Sequence, residues 1–386
     1  MLAALSNTPR DSAWGSGTLI AELQAREPTG APEAEVWFGD HPASPARVDD
    51  GSGLTLDRWL GERGAAAGAP SRLPFLLKLL AAASTLSIQS HPSKAQAEEG
   101  FARENATGVP LDDAGRNYHD DNHKPELIVA LSDRFEALVG LRDLDTTRAL
   151  LAELGDGAGA LRARLSGPDA ATALAGTIGW LLSGDAQGVV DDVIAAASGG
   201  SSVRFAAELD LSRRLAAEYP GDPGVVVALL MNLVTLRRGE AVFVPAGVLH
   251  AYQSGLGVEL MAASDNVLRG GLTPKHIDVT ELLRVLDATT GPAALLAPVA
   301  IAPGVEAYAP PVPDFALLRV DAPADAVDVA TSGVAIVLAT AGEVSVTGAR
   351  ADAPLVLRPG QALLATPDES PLRIGGGEAF VAEPGF

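Results

Sequence analysis

The chain has 386 residues, enough for two or three domains and a sizeable core. Its formal net charge of -21 excludes nucleic acid or an anionic membrane surface as the main partner, because both require a basic face. Cysteine is absent, which excludes disulfides, thiolate metal sites and cysteine nucleophiles, and leaves His, carboxylate and amide oxygen as metal donors.

The first part, to about Leu141, mixes short apolar runs with Gly/Pro turns. EVWFG at Glu35 to Gly39 and the run SRLPFLLKLL read as core elements, and SIQSH alternates as a strand does. The most apolar run, Leu73 to Ile88, is interrupted by Lys78 and falls short of the about 20 residues of a membrane span. The N-terminus shows no basic region followed by a signal-length apolar stretch, so a soluble, cytoplasmic protein is expected. Lys94 to Asn105 reads as a helix, and LIVALS after Glu126 as a buried strand. From Asp143 to Tyr219 the period changes: Leu150, Leu151, Leu154, Leu161 and Leu165 fall at helical spacing, and Gly167-Pro168-Asp169 starts a further helix. At Pro223 the chain turns strand-like again, through VVVALLMNLVTL, GEAVFVPAGVLHAY and VELMAAS. Short strands with Gly/Pro turns fill the segment from about Pro292 and suggest a small β-sandwich or jelly roll. The class is therefore mainly β with a helical insertion. The expected division is 1–142 with 223–290 as a discontinuous β domain, 143–222 as the helical insertion and 291–386 as a C-terminal β domain.

Two segments carry metal-ligand chemistry. Gln89 and His91 lie two apart, so on a strand both point to one face. GEAVFVPAGVLH, Gly239 to His250, is similar to the second conserved motif of the cupin superfamily: strand, Pro/Gly turn, then a strand carrying a histidine inward. The usual first motif, with two histidines and a nearby glutamate, is absent. Gln89 takes the first histidine's place, and Glu126 in NHKPEL is the natural further ligand. Gln89, His91, Glu126 and His250 around one ion make a mixed N/O set that suits zinc.

The combination of SIQSHP, NHKPE and SDNVLRGGLTPK, in order with AWGS and PEAEVWFGDHP, resembles the type I mannose-6-phosphate isomerase family of the cupin superfamily. The likeness covers most of the expected catalytic domain. Thr85 and Val248-Leu249 depart from common family residues, but neither position touches an expected ligand. The resemblance implies a bicupin, two jelly-roll β-barrels, with an α-helical domain and a metal-free second cupin. It implies one zinc per chain on Gln89, His91, Glu126 and His250. It also implies that Arg269, Lys124, Glu259, Asp265 and Lys275 line the active site, that the partner is a small phosphosugar, and that the chain is a monomer.

Interconverting mannose 6-phosphate and fructose 6-phosphate moves a proton between C1 and C2 through an enediol(ate). This requires a base, an electrophile and a phosphate anchor. Glu259 is the candidate base, with a core carboxylate bonded to Arg269 as the plainer alternative; Lys124 and His123 are possible substitutes or proton shuttles. Arg269 suits an enediolate better than a lysine would, and an ion pair with Asp265 is compatible with that role. Lys94, Lys124 and Lys275 are candidate phosphate anchors, with Ser87 as a hydroxyl donor. Lys94 also heads a helix, where free N–H groups favour an anion. His41 and His276 read as loop or surface residues, His119 as a neighbour of the ligands, and Trp14 as packing. Alternatives to this reading are an Fe(II) oxygenase or another metal-dependent cupin acting on a related phosphosugar, and a non-catalytic sugar-phosphate-binding cupin.

Overall fold

The apolar run from Phe75 to Ala82 does not alternate because both its faces are covered: all eight residues of this strand are buried. Its neighbour is the 13-residue strand His250–Ala262, which organises the first of two sheets. The C-terminal part of that strand pairs with Phe75–Ala82 and Glu126–Ala130. Its N-terminal part pairs with Phe135–Leu141 and with the two-residue strand Gln89–Ser90. The change of partners falls at Gly255, where φ is +116 and a Cβ would lie 2.8 Å from the Phe135 ring, so no larger residue fits. The computed structural model describes residues 1–167, 169–323 and 325–385.

A second sheet is built around Ala335–Thr347 and Leu372–Glu383, with Ala316–Ala322 beside them. The stretches VAIVLAT and EVSVTG, expected as separate strands, form one strand interrupted by register shifts near Gly342. Two strands of the N-terminal region, Leu2–Ser6 and Arg47–Asp49, belong to this sheet as well. Leu2–Ser6 pairs with Ala362–Ala365 on one side and with Arg47–Asp49 on the other. The expected 1–142 unit is therefore shared between the sheets. Five residues of short alternating strand carry no local sign of a partner some 360 residues away. One apolar core fills the space between the sheets, joining Val36, Leu77, Leu127 and Val258 to Phe315, Ile336 and Phe380. The architecture is mostly β with helices.

Among the described residues, six α-helices between Leu144 and Leu229 cluster around a separate core of leucine and valine side chains. Asp143 and Asp169 cap two of them, accepting from Thr146 N and from Ala171 N and Thr172 N. Pro168, part of the expected helix start, lies outside the described residues. Gly224–Leu229 is a helix, not the strand expected from VVVALL. Every residue of it is buried, so apolar periodicity does not separate the two states, and Asp222 ahead of it accepts from Gly224 N as at a helix start. Strand resumes at Met231–Leu236. Among the described residues no helix is long and apolar enough to cross a membrane.

Candidate metal centre and active site

Strand pairing brings distant residues together. Gln89 lies directly opposite both His250 and Arg269 in register, on adjoining strands. Glu126 opens the strand next to the long central one. His91 follows the short Gln89–Ser90 strand rather than extending it, and Ser93 then caps the Lys94–Thr107 helix with Gln96 in a reciprocal box. His91 Nε2 lies 3.1 Å from Glu126 Oε1, and His250 Nε2 lies 3.3 Å from Glu126 Oε2. The Gln89 side-chain amide is 3.2 Å from His250 Nε2. Ligand atoms of the two imidazoles and the carboxylate all fall within 4.8 Å of one another, and the three side chains are almost wholly buried.

Proton placement shows what this cluster suits. His91 Nδ1 lies 2.7 Å from Asn266 O, and His250 Nδ1 3.2 Å from Val248 O. A carbonyl only accepts, so each Nδ1 carries the hydrogen and each Nε2 presents a lone pair. Two bare nitrogens then face a carboxylate with no proton to share, and His91 Nε2 finds no hydrogen-bond partner. Burial, followed by the Lys124 ammonium, lowers the His91 pKa to about 4, so the ring is neutral near pH 7. Burial pushes the Glu126 carboxyl upward, but the Lys124 ammonium beside it opposes the rise and the pKa lies well below the usual range. A cation resolves the conflict, and a nitrogen/oxygen set without thiolate fits zinc. A half-turn of the Gln89 amide would present its oxygen to the same point.

Beside the cluster opens a cavity of about 640 Å³. Ser87, Gln89, Lys124, Glu126, Glu259, Asp265, Arg269 and Lys275 line it, and so does Trp14. Lys124 Nζ lies 3.0 Å from Glu126 Oε1. Asp265 accepts from His41, whose Nδ1 takes the Ala43 N–H at 3.2 Å and whose Nε2 therefore donates to Asp265 Oδ2 at 2.9 Å. Burial would raise the Asp265 carboxyl, but the His41 bond keeps it lowered. Neither alternative pairing of Arg269 is present, because Asp265 is held by His41 and Glu259 pairs with Lys78. Burial alone lowers the Arg269 pKa, with no acidic side chain offsetting it.

Some expected residues lie elsewhere. Lys94 is outside the cavity lining: its ammonium donates to Asp121 O at 2.9 Å and lies 3.8 Å from the Glu98 carboxylate. The cap at Ser93 turns this first helical side chain outward. His123 points to Asp314, Nε2 to Oδ2 at 2.9 Å, rather than into the cavity. His119 bonds Asn266 and Leu111. His41, expected as a loop or surface residue, does lie in a loop and from there supports Asp265.

Lys78 and Tyr252 are among the lining groups that were not anticipated. Lys78, whose charge interrupts a buried strand, sits 2.9 Å from Glu259 Oε2 and 3.3 Å from Glu35 Oε1. An ammonium in such a strand must be paired, and that is the signal the sequence offered. Tyr252, two residues after His250 and so on the same strand face, reaches Glu126 Oε2 at 3.3 Å. The floor is thus nearly balanced: Lys78 against Glu35 and Glu259, and Lys124 against Glu126. Arg269 and the exposed rim residue Lys275 add two cations that none of these carboxylates engages, inside an acidic chain.

Comparison with known proteins agrees with this chemistry. A family model described as "Phosphomannose isomerase type I, catalytic domain" matches residues 2–144. The mannose-6-phosphate isomerase of Salmonella typhimurium is 37% identical, covering 96% of each chain. That of Homo sapiens is 32% identical, covering 95% of this chain and 93% of its own. A mannose 6-phosphate isomerase crystal structure with zinc bound is similar at a TM-score of 0.90 and 35% identity over 100% of both chains. A Salmonella typhimurium structure bound to its substrate f6p and zinc gives the same figures. With relatives of this identity along almost the whole chain, and the histidine–carboxylate cluster beside a cavity lined by Lys124, Arg269 and Lys275, the chain belongs to the type I mannose-6-phosphate isomerase family.

Proposed function

We propose that this chain interconverts mannose 6-phosphate and fructose 6-phosphate, with one zinc ion held by Gln89, His91, Glu126 and His250. The observation that carries the reading is the meeting of two lone-pair-bearing imidazole nitrogens with Glu126 at the wall of a cavity whose Arg269 has no acidic partner among the described residues. Bound zinc supplies a Lewis acid for a sugar oxygen in that cavity.

The chain's own side chains divide the remaining work. Glu259 takes the proton from C2 of the aldose and returns it at C1, while a proton moves from O2 to O1. Burial raises the Glu259 carboxyl toward neutrality, the direction a general base requires. Lys78 holds this carboxylate in place, and Lys124 is the nearest cation for a proton moving between sugar oxygens. Arg269 donates to the oxygen on which enediolate charge develops. Lys275 and Ser87 take the phosphate at the rim, and Asp265 accepts sugar hydroxyls. Lys94, outside the cavity, has no part in this scheme.

We read the two sheets as the two barrels of a bicupin, with the metal only in the first. The catalytic unit comprises 1–142 and 223–290, less Leu2–Ser6 and Arg47–Asp49; 143–222 is the helical unit and 291–386 the second barrel. This reading takes the chain to act as a monomer. A charged sugar phosphate crosses no bilayer unaided, which supports a cytoplasmic enzyme acting on substrate retained there.

A coupled assay on mannose 6-phosphate, before and after chelation, tests the proposal. Activity that disappears with the metal and returns with added zinc is expected. Absence of isomerisation in a zinc-loaded sample, or full activity in a demonstrably metal-free one, would reject it.

A further inference from the structure

Arg269 and Lys275 are joined by the loop Gly270–Pro274, and one carboxylate from the end of the helical insertion ties that loop down. Asp222 Oδ1 accepts from Gly224 N at 2.7 Å and from Leu272 N at 3.1 Å, and Oδ2 accepts from Thr273 N at 3.3 Å. The two backbones touch: a Cβ on Gly271 would lie 2.5 Å from Gly224 Cα, and one on Gly224 would lie 2.5 Å from Leu272 N. Leu272 itself adopts a φ of +54, a left-handed conformation that strains a leucine. Its side chain is 1% exposed, packed in the core shared with the helices. A strained residue between two cavity cations persists only if its surroundings hold it. Here the buried side chain anchors it on one side and the Asp222 carboxylate on the other.

We infer that Asp222 is a positioning residue: it fixes the 270–275 loop so that Arg269 and Lys275 meet the enediolate oxygen and the phosphate of one sugar together. The inference rests on the isomerase reading. Asp222 does not line the cavity, so it acts through the loop and not on substrate. It gives the helical insertion a part in the reaction, since the acceptor sits where the insertion rejoins the barrel.

The test compares zinc-loaded wild type with Asp222→Ala, Asp222→Asn and Asp222→Glu, each also in an Arg269→Lys background. In Asp222→Ala, kcat/KM for mannose 6-phosphate is expected to fall about 10²-fold, the cost of roughly 1 Å of misplacement. Zinc content should stay at wild-type level, and hydrogen-exchange protection of the Leu272 and Thr273 amides should be lost. Asp222→Glu should restore part of the activity. In the Arg269→Lys background the same substitution should cost severalfold less, because residues acting as one unit are non-additive. If Asp222→Ala does not fold, Asp222→Asn, which keeps the volume but sets an amide against one donor, carries the comparison. Equal factors in both backgrounds, or wild-type turnover after the two amides have lost protection, would overturn the inference. A wild type inert on mannose 6-phosphate would remove the isomerase reading alone. The clamp would then be judged by exchange, and protected amides in Asp222→Ala would overturn it.

Discussion

Lys78→Met removes an ammonium that stands between two buried carboxylates. Its nitrogen is 2.9 Å from Glu259 and 3.3 Å from Glu35, and none of the three side chains is more than 12% exposed. At an effective dielectric of about 20, each contact amounts to about 5–6 kcal/mol of Coulomb attraction. Taking the ions out of water offsets much of that, so the measurable quantity is the cost of stranding the survivors, about 3–5 kcal/mol for a broken buried pair. Burial already raises the Glu259 carboxyl while Lys78 opposes the rise, so losing Lys78 raises it further. An acid whose folded pKa exceeds its unfolded value of about 4.3 binds more protons when folded. Its stability therefore falls as pH rises between the two values and recovers as pH falls. Lys78 itself is raised above its ordinary value by the same carboxylates, despite burial, and stays charged throughout this range. Urea unfolding of wild type and variant, run near pH 8 and near pH 5.5, is expected to show the full deficit at the higher pH and a smaller one at the lower. A midpoint unchanged at both, or a deficit that grows on acidification, would refute the ion-pair account.

Arg269→Lys is expected to lower turnover by ~10²–10³ while zinc content stays constant, because a lysine lacks the fixed fork of donors; steady-state kinetics with metal analysis checks it. Lys275→Ala should raise KM about tenfold and leave kcat within a few fold, as loss of a contact made equally in ground and transition states does. His91→Ala should reduce bound zinc far below one per chain, measured by elemental analysis after dialysis. Gly100→Ala would drive a Cβ into the Tyr118 ring, and a loss of about 1–3 kcal/mol in unfolding free energy is expected with zinc content unchanged.

Much of the metal site was legible because its residues stand in segments whose local geometry is fixed by short-range rules. The PAG turn aims His250, and the HPS sequence ends the strand before His91 and leads into the helix capped by Ser93. What the sequence did not show depends on long-range pairing. Lys78 read only as an interruption of an apolar run, because its partners Glu35 and Glu259 lie on the two strands that flank it in space. Leu2–Ser6 closes the far sheet through pairing that no nearby residue specifies. Gly224–Leu229 is apolar on every face, so its helical state follows from Asp222 and the surrounding helices rather than from periodicity. Lys94 was placed by its neighbourhood in sequence, whereas the orientation of its side chain is set by its place as the first helical residue.

The account turns on four side chains sharing one ion, and anomalous diffraction at the zinc edge from zinc-loaded crystals tests that directly. It predicts a single strong peak, with Gln89 oxygen, His91 Nε2, a Glu126 oxygen and His250 Nε2 each about 2.0–2.2 Å away. A peak elsewhere, or one that any of these four fails to touch, would contradict it.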